Sequence, residues 1–61
     1  MEIGALVTNN LLIPLPETVI QPGTQGKVIG HASNYQALLV VDFGAETATV
    51  ATENLTLASN P

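Results

Sequence analysis

The sequence predicts an all-β chain, with five short strands folded into one small barrel. Three observations carry this. Short apolar runs alternate with Gly, Asn and Pro turn residues at close spacing. No window of ordinary helix length has helical periodicity. Pro14 and Pro16, two residues apart in an apolar stretch, forbid a helix interior or a central strand there.

The elements follow in order. Residues 3–8 form the expected first strand, which Asn9-Asn10 breaks. Residues 11–20 read as a long, extended, apolar loop held open by its prolines. Pro22-Gly23 marks a turn. Residues 25–31 are the second strand, and Ala32-Ser33-Asn34 a loop. Residues 36–43 are the third strand, the most β-like run in the chain. Gly44-Ala45 is a tight turn, and residues 46–51, rich in Thr and Val, are the fourth strand. Thr52-Glu53-Asn54 reads as one helical turn and residues 55–57 as a short last strand. One domain covers residues 1–58, and 59–61 are expected to fray.

Composition bounds the function. A chain of 61 residues makes one small domain, which buries little of its surface and needs a staple. It has no cysteine and one histidine, so disulfides, thiolate metal sites and histidine-rich zinc sites are excluded. What remains is a tight core or self-association. Charged residues are 10% of the chain, against about 25% in ordinary soluble domains. So little charge implies that some apolar surface is covered by a partner. Lys27 is the only cation against five carboxylates, so the phosphate neutralisation that nucleic-acid binding needs is missing. Met1-Glu2 starts no signal peptide, and the longest apolar run, Ala37–Val41, is far too short to span a membrane. The expectation is a soluble, cytoplasmic protein without membrane insertion.

Strand alternation then assigns faces. Asp42 resists unpaired burial, so Leu39, Val41 and Phe43 face the core, with Leu38 and Val40 facing out. Lys27 stays solvated, so Val28 points in and Ile29 out. Ala48 and Val50 point in; Thr47, Thr49 and Ala51 point out. The expected core is Leu6, Val28, Leu39, Val41, Phe43, Val50, Leu55 and Leu57. Ile29, Leu38, Val40 and Ala51 then form an apolar patch on adjacent strands, and such patches mark interfaces. In the long loop, Leu12, Ile13 and Leu15 are a second contact region, and some of that loop seals one end of the barrel.

The glycine-rich stretch PGTQGKVIG, residues 22–30, invites a phosphate-loop reading that its spacing rejects. A Walker A loop needs Gly, four residues, then Gly-Lys-Ser/Thr before a helix. Here Gly23 and Gly26 are too close, Val28 replaces the hydroxyl residue, and a strand follows. Gly23 after Pro22 suits a type II turn. Gly26 is expected to bend the strand, and Gly30 to permit a bulge or close crossing.

The layout Ile3-Gly4-x-x-Val7, long loop, Pro22-Gly23-x-x-Gly26-x-Val28, Val40-Val41-Asp42-Phe43-Gly44, Val50-x-x-x-x-Leu55 spans nearly the whole chain. It resembles the SH3-like small barrels of prokaryotes. Those include accessory barrel domains of helicases, KOW-type domains, and small barrel subunits of photosynthetic complexes. The resemblance implies an SH3-like five-stranded barrel with a long first loop, a fold that hosts unrelated functions. The plasmid-encoded type II dihydrofolate reductase is similar in size and layout, and as a family it is a homotetramer around one active-site pore. Its Val-Gln-Ile-Tyr segment falls where this chain reads Thr47-Ala48-Thr49-Val50-Ala51, without the glutamine or the tyrosine. Its activity is not carried over.

Other chemistry is thin. His31 and Tyr35 flank a hairpin tip and, with Thr49, could form a small-ligand rim in the pore of an oligomer. Asp42, Glu46 and Glu53 lack the close spacing a calcium loop provides. Neither a cofactor nor a metal is implied. The expected function is a non-enzymatic protein-interaction module, either a small accessory subunit of a larger complex or a self-assembling homo-oligomer. The alternative is a ligand or enzyme site in the central pore of such an oligomer.

Overall fold

The computed structural model describes residues 2–32 and 35–58, with residues 35–36 as backbone alone. The Ser33-Asn34 loop and the end at 59–61 lie outside the described residues. The strands are β1 (Leu6–Asn9), β2 (Ile13–Pro14), β3 (Val19–Ile20), β4 (Gln25–Ala32), β5 (Tyr35–Asp42), β6 (Thr47–Ala51) and β7 (Leu55–Leu57). One 3-10 turn, Thr52–Asn54, links β6 to β7. Five strands form an antiparallel sheet in the order β6-β5-β4-β1-β7, and β2-β3 form a separate two-stranded ribbon. The fold is all-β.

Turn chemistry places the strands. Thr24 N–H donates to Gln21 C=O at 3.2 Å, closing a four-residue turn around Pro22 and Gly23. Gly23 has φ +86°, the left-handed position that a type II turn requires after proline. Phe43 N–H donates to Glu46 C=O at 2.8 Å, and Gly44 at φ +102° turns the β5–β6 hairpin.

The first strand starts later than residue 3. Gly4, at φ +95°, sits in a turn where Ala5 N–H donates to Glu2 C=O at 3.0 Å. Regular pairing begins only at Leu6, which faces Lys27. The long loop also carries structure of its own: Ile13 pairs with Ile20 and Pro14 with Val19. Proline is tolerated there because the ribbon is all edge.

The core is Val7, Val28, Leu39 and Val41, fully buried, with Ala48, Val50 and Leu55 around them and Phe43 packed at the margin. The alternation fixed by Asp42 holds through β5 and β6, and in β4 as far as the bulge at Ile29. In β1 the expected parity is off by one: Val7, not Leu6, fills the core. Leu6 stands opposite Lys27, on the solvent side. Leu57 is not core either. It pairs with Val7 but lies on edge strand β7 and is 60% exposed.

Gly26 has another role than the one expected, whereas Gly30 sits at a bulge as expected. Gly26 has an ordinary backbone, but a Cβ there would come within 2.6 Å of Val41 Cγ1 and 2.8 Å of Phe43 Cδ1. It is a packing glycine, over which the Phe43 ring lies. Gly30 has open space around it and simply follows the β4 bulge, where Val28 pairs with Val41 and Gly30 with Val40, leaving Ile29 unpaired.

Candidate functional site

The outer face of β4, β5 and β6 carries the expected apolar residues. Register puts Val40 between Gly30 and Thr49, and Leu38 opposite Ala51. The bulge brings Ile29 to the same side, where it is 46% exposed. Leu38, Val40 and Ala51 are half-buried, so the face offers less open apolar surface than alternation alone predicts. Its polar margin is Lys27 opposite Asp42; the Asp42 carboxylate accepts the Gly44 N–H at 2.8 Å.

The second region divides in two. Ile13 and Leu15 are half-buried against the core and close it from the loop side. Leu12 is exposed, and so is its neighbour Leu11. Thus the loop is both a lid and an apolar ridge.

His31 and Thr49 are not brought together. His31 lies in the cross-strand row of Leu39 and Val50, Thr49 in the row of Val40 and Gly30, and adjacent rows face opposite sides. The Tyr35 side chain lies outside the described residues. Among the described residues no three histidine, aspartate or glutamate side chains converge to hold a metal ion.

A feature that composition did not signal is a groove between the long loop and β6. At one end is an open cleft of about 160 Å³. Leu11, Leu12, Ile13 and Pro14 wall it on the loop side, and Thr49 and Val50 on the strand side, with Asn9 and Asn54 completing the lining. None of these residues is charged. Toward the start of β6 a second hollow of about 250 Å³ lies among Pro16, Glu17 and Glu46. The loop thus meets the β6 region at two hollows, an apolar one at Thr49 and Val50 and one with two carboxylates just before the strand.

Asn9 holds this loop in place. It is a buried polar residue, 2% exposed. Its Nδ2 donates to Leu11 C=O at 2.8 Å and reaches Ile20 C=O at 3.5 Å, while its Oδ1 accepts the Thr24 N–H at 2.9 Å. A single amide thus ties both ends of the loop to β1. In the sequence Asn9 reads only as a strand breaker; an Asn-Asn pair gives no sign of which residue turns inward.

No helix among the described residues is long and apolar enough to cross a membrane. Compared with known proteins, the chain matches no family model, no curated protein and no solved structure.

Proposed function

We propose that this chain is a non-enzymatic protein-interaction module with the architecture of an SH3-like five-stranded small barrel. It works as a self-assembling homo-oligomer or as an accessory subunit of a larger complex. Two features support the barrel: the strand order β6-β5-β4-β1-β7, and a 3-10 turn carrying the chain from one edge strand to the other. The loop ribbon β2-β3 packs on the core through Ile13, as does Leu15 after it.

The observation that carries the interaction reading is the outer face. Ile29, Leu38, Val40 and Ala51 are gathered on one side of three adjacent strands, opposite the packed core. A chain with so few charges has little with which to keep such a face in water. Self-association through it stabilises the domain by removing that surface from solvent.

Light scattering across a dilution series tests this. A mass that is a stable multiple of 6.3 kDa is expected for the self-assembling form. Val40→Glu should dissolve the assembly while the far-ultraviolet β signature persists. An assembly unaffected by Val40→Glu overturns the assignment of this face. A clean monomer at all concentrations moves the reading to the accessory subunit, whose partner must then be lost on the same substitution.

A further inference from the structure

We propose that the groove along β6 binds an extended segment of another polypeptide by strand addition. An aliphatic side chain of that segment enters the apolar cleft, and a Lys or Arg reaches the Glu17–Glu46 end. The inference rests on the interaction-module reading and names the chemistry of one partner.

Backbone geometry supplies the first argument. Among the described residues β6 pairs only with β5, so it is a sheet edge. The Phe43 N–H to Glu46 C=O bond sets the phase of the ladder. From it, antiparallel alternation gives bonded pairs Val41–Ala48 and Leu39–Val50. The N–H and C=O groups of Thr47, Thr49 and Ala51 therefore point away from β5, and Thr49 among them lines the apolar cleft. An edge without lysine, proline or any charge within its five residues is a template for another strand.

The walls supply the second. The cleft at Thr49 and Val50 has about the volume that accommodates a benzene-sized group, and only uncharged residues line it. That is room for one aliphatic side chain. Residues 11–14 line the other side of the cleft, so a segment added to the edge lies between the loop and β6.

Charge supplies the third. Glu46 lies four residues before Val50, on the same strand face, and Glu17 stands beside it across the hollow. In an antiparallel segment the residue opposite Glu46 follows the one opposite Val50 by four. The fitting pattern is aliphatic, three residues, then Lys or Arg. A chain of net charge −4 attracts such a basic segment.

The test uses the whole chain and the labelled, end-capped peptide Thr-Leu-Thr-Val-Thr-Lys-Thr, followed by fluorescence anisotropy. Saturable binding is expected. With Leu opposite Val50, the third peptide residue faces Thr49 and the fourth turns its amide away. N-methylation at the third residue should abolish binding, and at the fourth should leave it. Replacing the peptide lysine by glutamate should weaken binding about three- to tenfold at low salt. Glu17→Gln with Glu46→Gln should remove that difference. Thr49→Pro deletes an amide that β5 does not use, so it should keep the fold and lose the peptide. If Thr49→Pro fails to fold, the two N-methylated peptides decide. No saturable binding at millimolar peptide, or equal binding of both methylated forms, overturns the proposal. A failed titration with the Val40→Glu effect intact sinks the groove alone. A peptide that binds while Val40→Glu changes nothing sinks the outer face alone.

Discussion

The side chain of Asn9 accepts the main-chain N–H of Thr24 at 2.9 Å, joining two positions fifteen residues apart across the base of the long loop. The same turn returns a bond, since Gly23 N–H donates to Asn9 C=O at 2.8 Å. Main chain and side chain of one residue therefore both grip the turn that starts β4.

Asn9→Ala should be strongly destabilising. It takes one bond from the part-buried Leu11 C=O and leaves the Thr24 N–H only its 3.2 Å bond to Gln21 C=O, and each bond lost costs about 0.5–1.5 kcal/mol. Denaturant midpoints check this. Asn9→Asp is a sharper probe because it keeps the acceptor and loses the donors. An ionised carboxylate would face the Leu11 and Ile20 carbonyl oxygens in a buried site, so its pKa is raised above the ordinary aspartate value near ~3.9. The folded state then holds its proton more tightly than the unfolded state. Stability of this variant should be greatest below the unfolded pKa and fall as pH rises through the folded one. A flat profile from acid to neutral pH contradicts the hydrogen-bond assignment.

Gly26→Ala and Gly30→Ala should behave oppositely, although both glycines lie in β4. At Gly26 the new methyl meets the buried Val41 and the Phe43 ring, an overpacking worth about 1–3 kcal/mol. At Gly30 it meets nothing, and the loss of unfolded-state freedom leaves the change neutral or slightly stabilising. Phe43→Leu combined with Gly26→Ala should cost less than the sum of the single changes, because the ring is one of the two clashing groups. Thermal melts of the four proteins decide it.

Gly23→Ala should cost about 1 kcal/mol through its left-handed backbone, with no side-chain clash to relieve. A chain of this length is accessible to chemical synthesis. Installing D-alanine at position 23 should recover that loss, since its mirror geometry favours positive φ. Equal stability of the L and D forms would remove conformational strain as the cause.

Leu55→Ala and Leu57→Ala form a matched pair on one strand. Leu55 is 6% exposed and Leu57 60%, so the first should cost about 2–5 kcal/mol and the second within about 0.5 kcal/mol. The same pair separates what the sequence discloses from what it hides. Leu55-Thr56-Leu57 alternates as a half-buried strand should, and alternation alone assigns both leucines inward. Only the neighbour beyond the strand decides burial, and β7 is an edge. In the middle of the sheet, where Asp42 excludes one face, the same rule places Leu39, Val41, Ala48 and Val50 correctly.

The candidate surfaces were legible to the same extent. The outer position of Ile29, Leu38, Val40 and Ala51 follows from local alternation. Their degree of exposure depends on cross-strand neighbours that register alone supplies. The groove was not legible at all, because it joins residues 11–17 to residues 46–54, and no periodicity within either segment records the other. Nor did Asn9 stand out, since its three partners are main-chain groups, which carry no residue identity.

Strand β1 has β4 on one side and β7 on the other. In time, this means that the strand made before the other four of its sheet gains its second neighbour from the strand made last. During synthesis the meander β4-β5-β6 can assemble from local contacts as it emerges, but β1 keeps an open edge until Leu55–Leu57 are made. At roughly 5–20 residues per second, that edge waits for several seconds on the ribosome. Slowing translation between Asn9 and Leu55 should therefore increase the nascent chain's dependence on holdase chaperones, while speeding it should not.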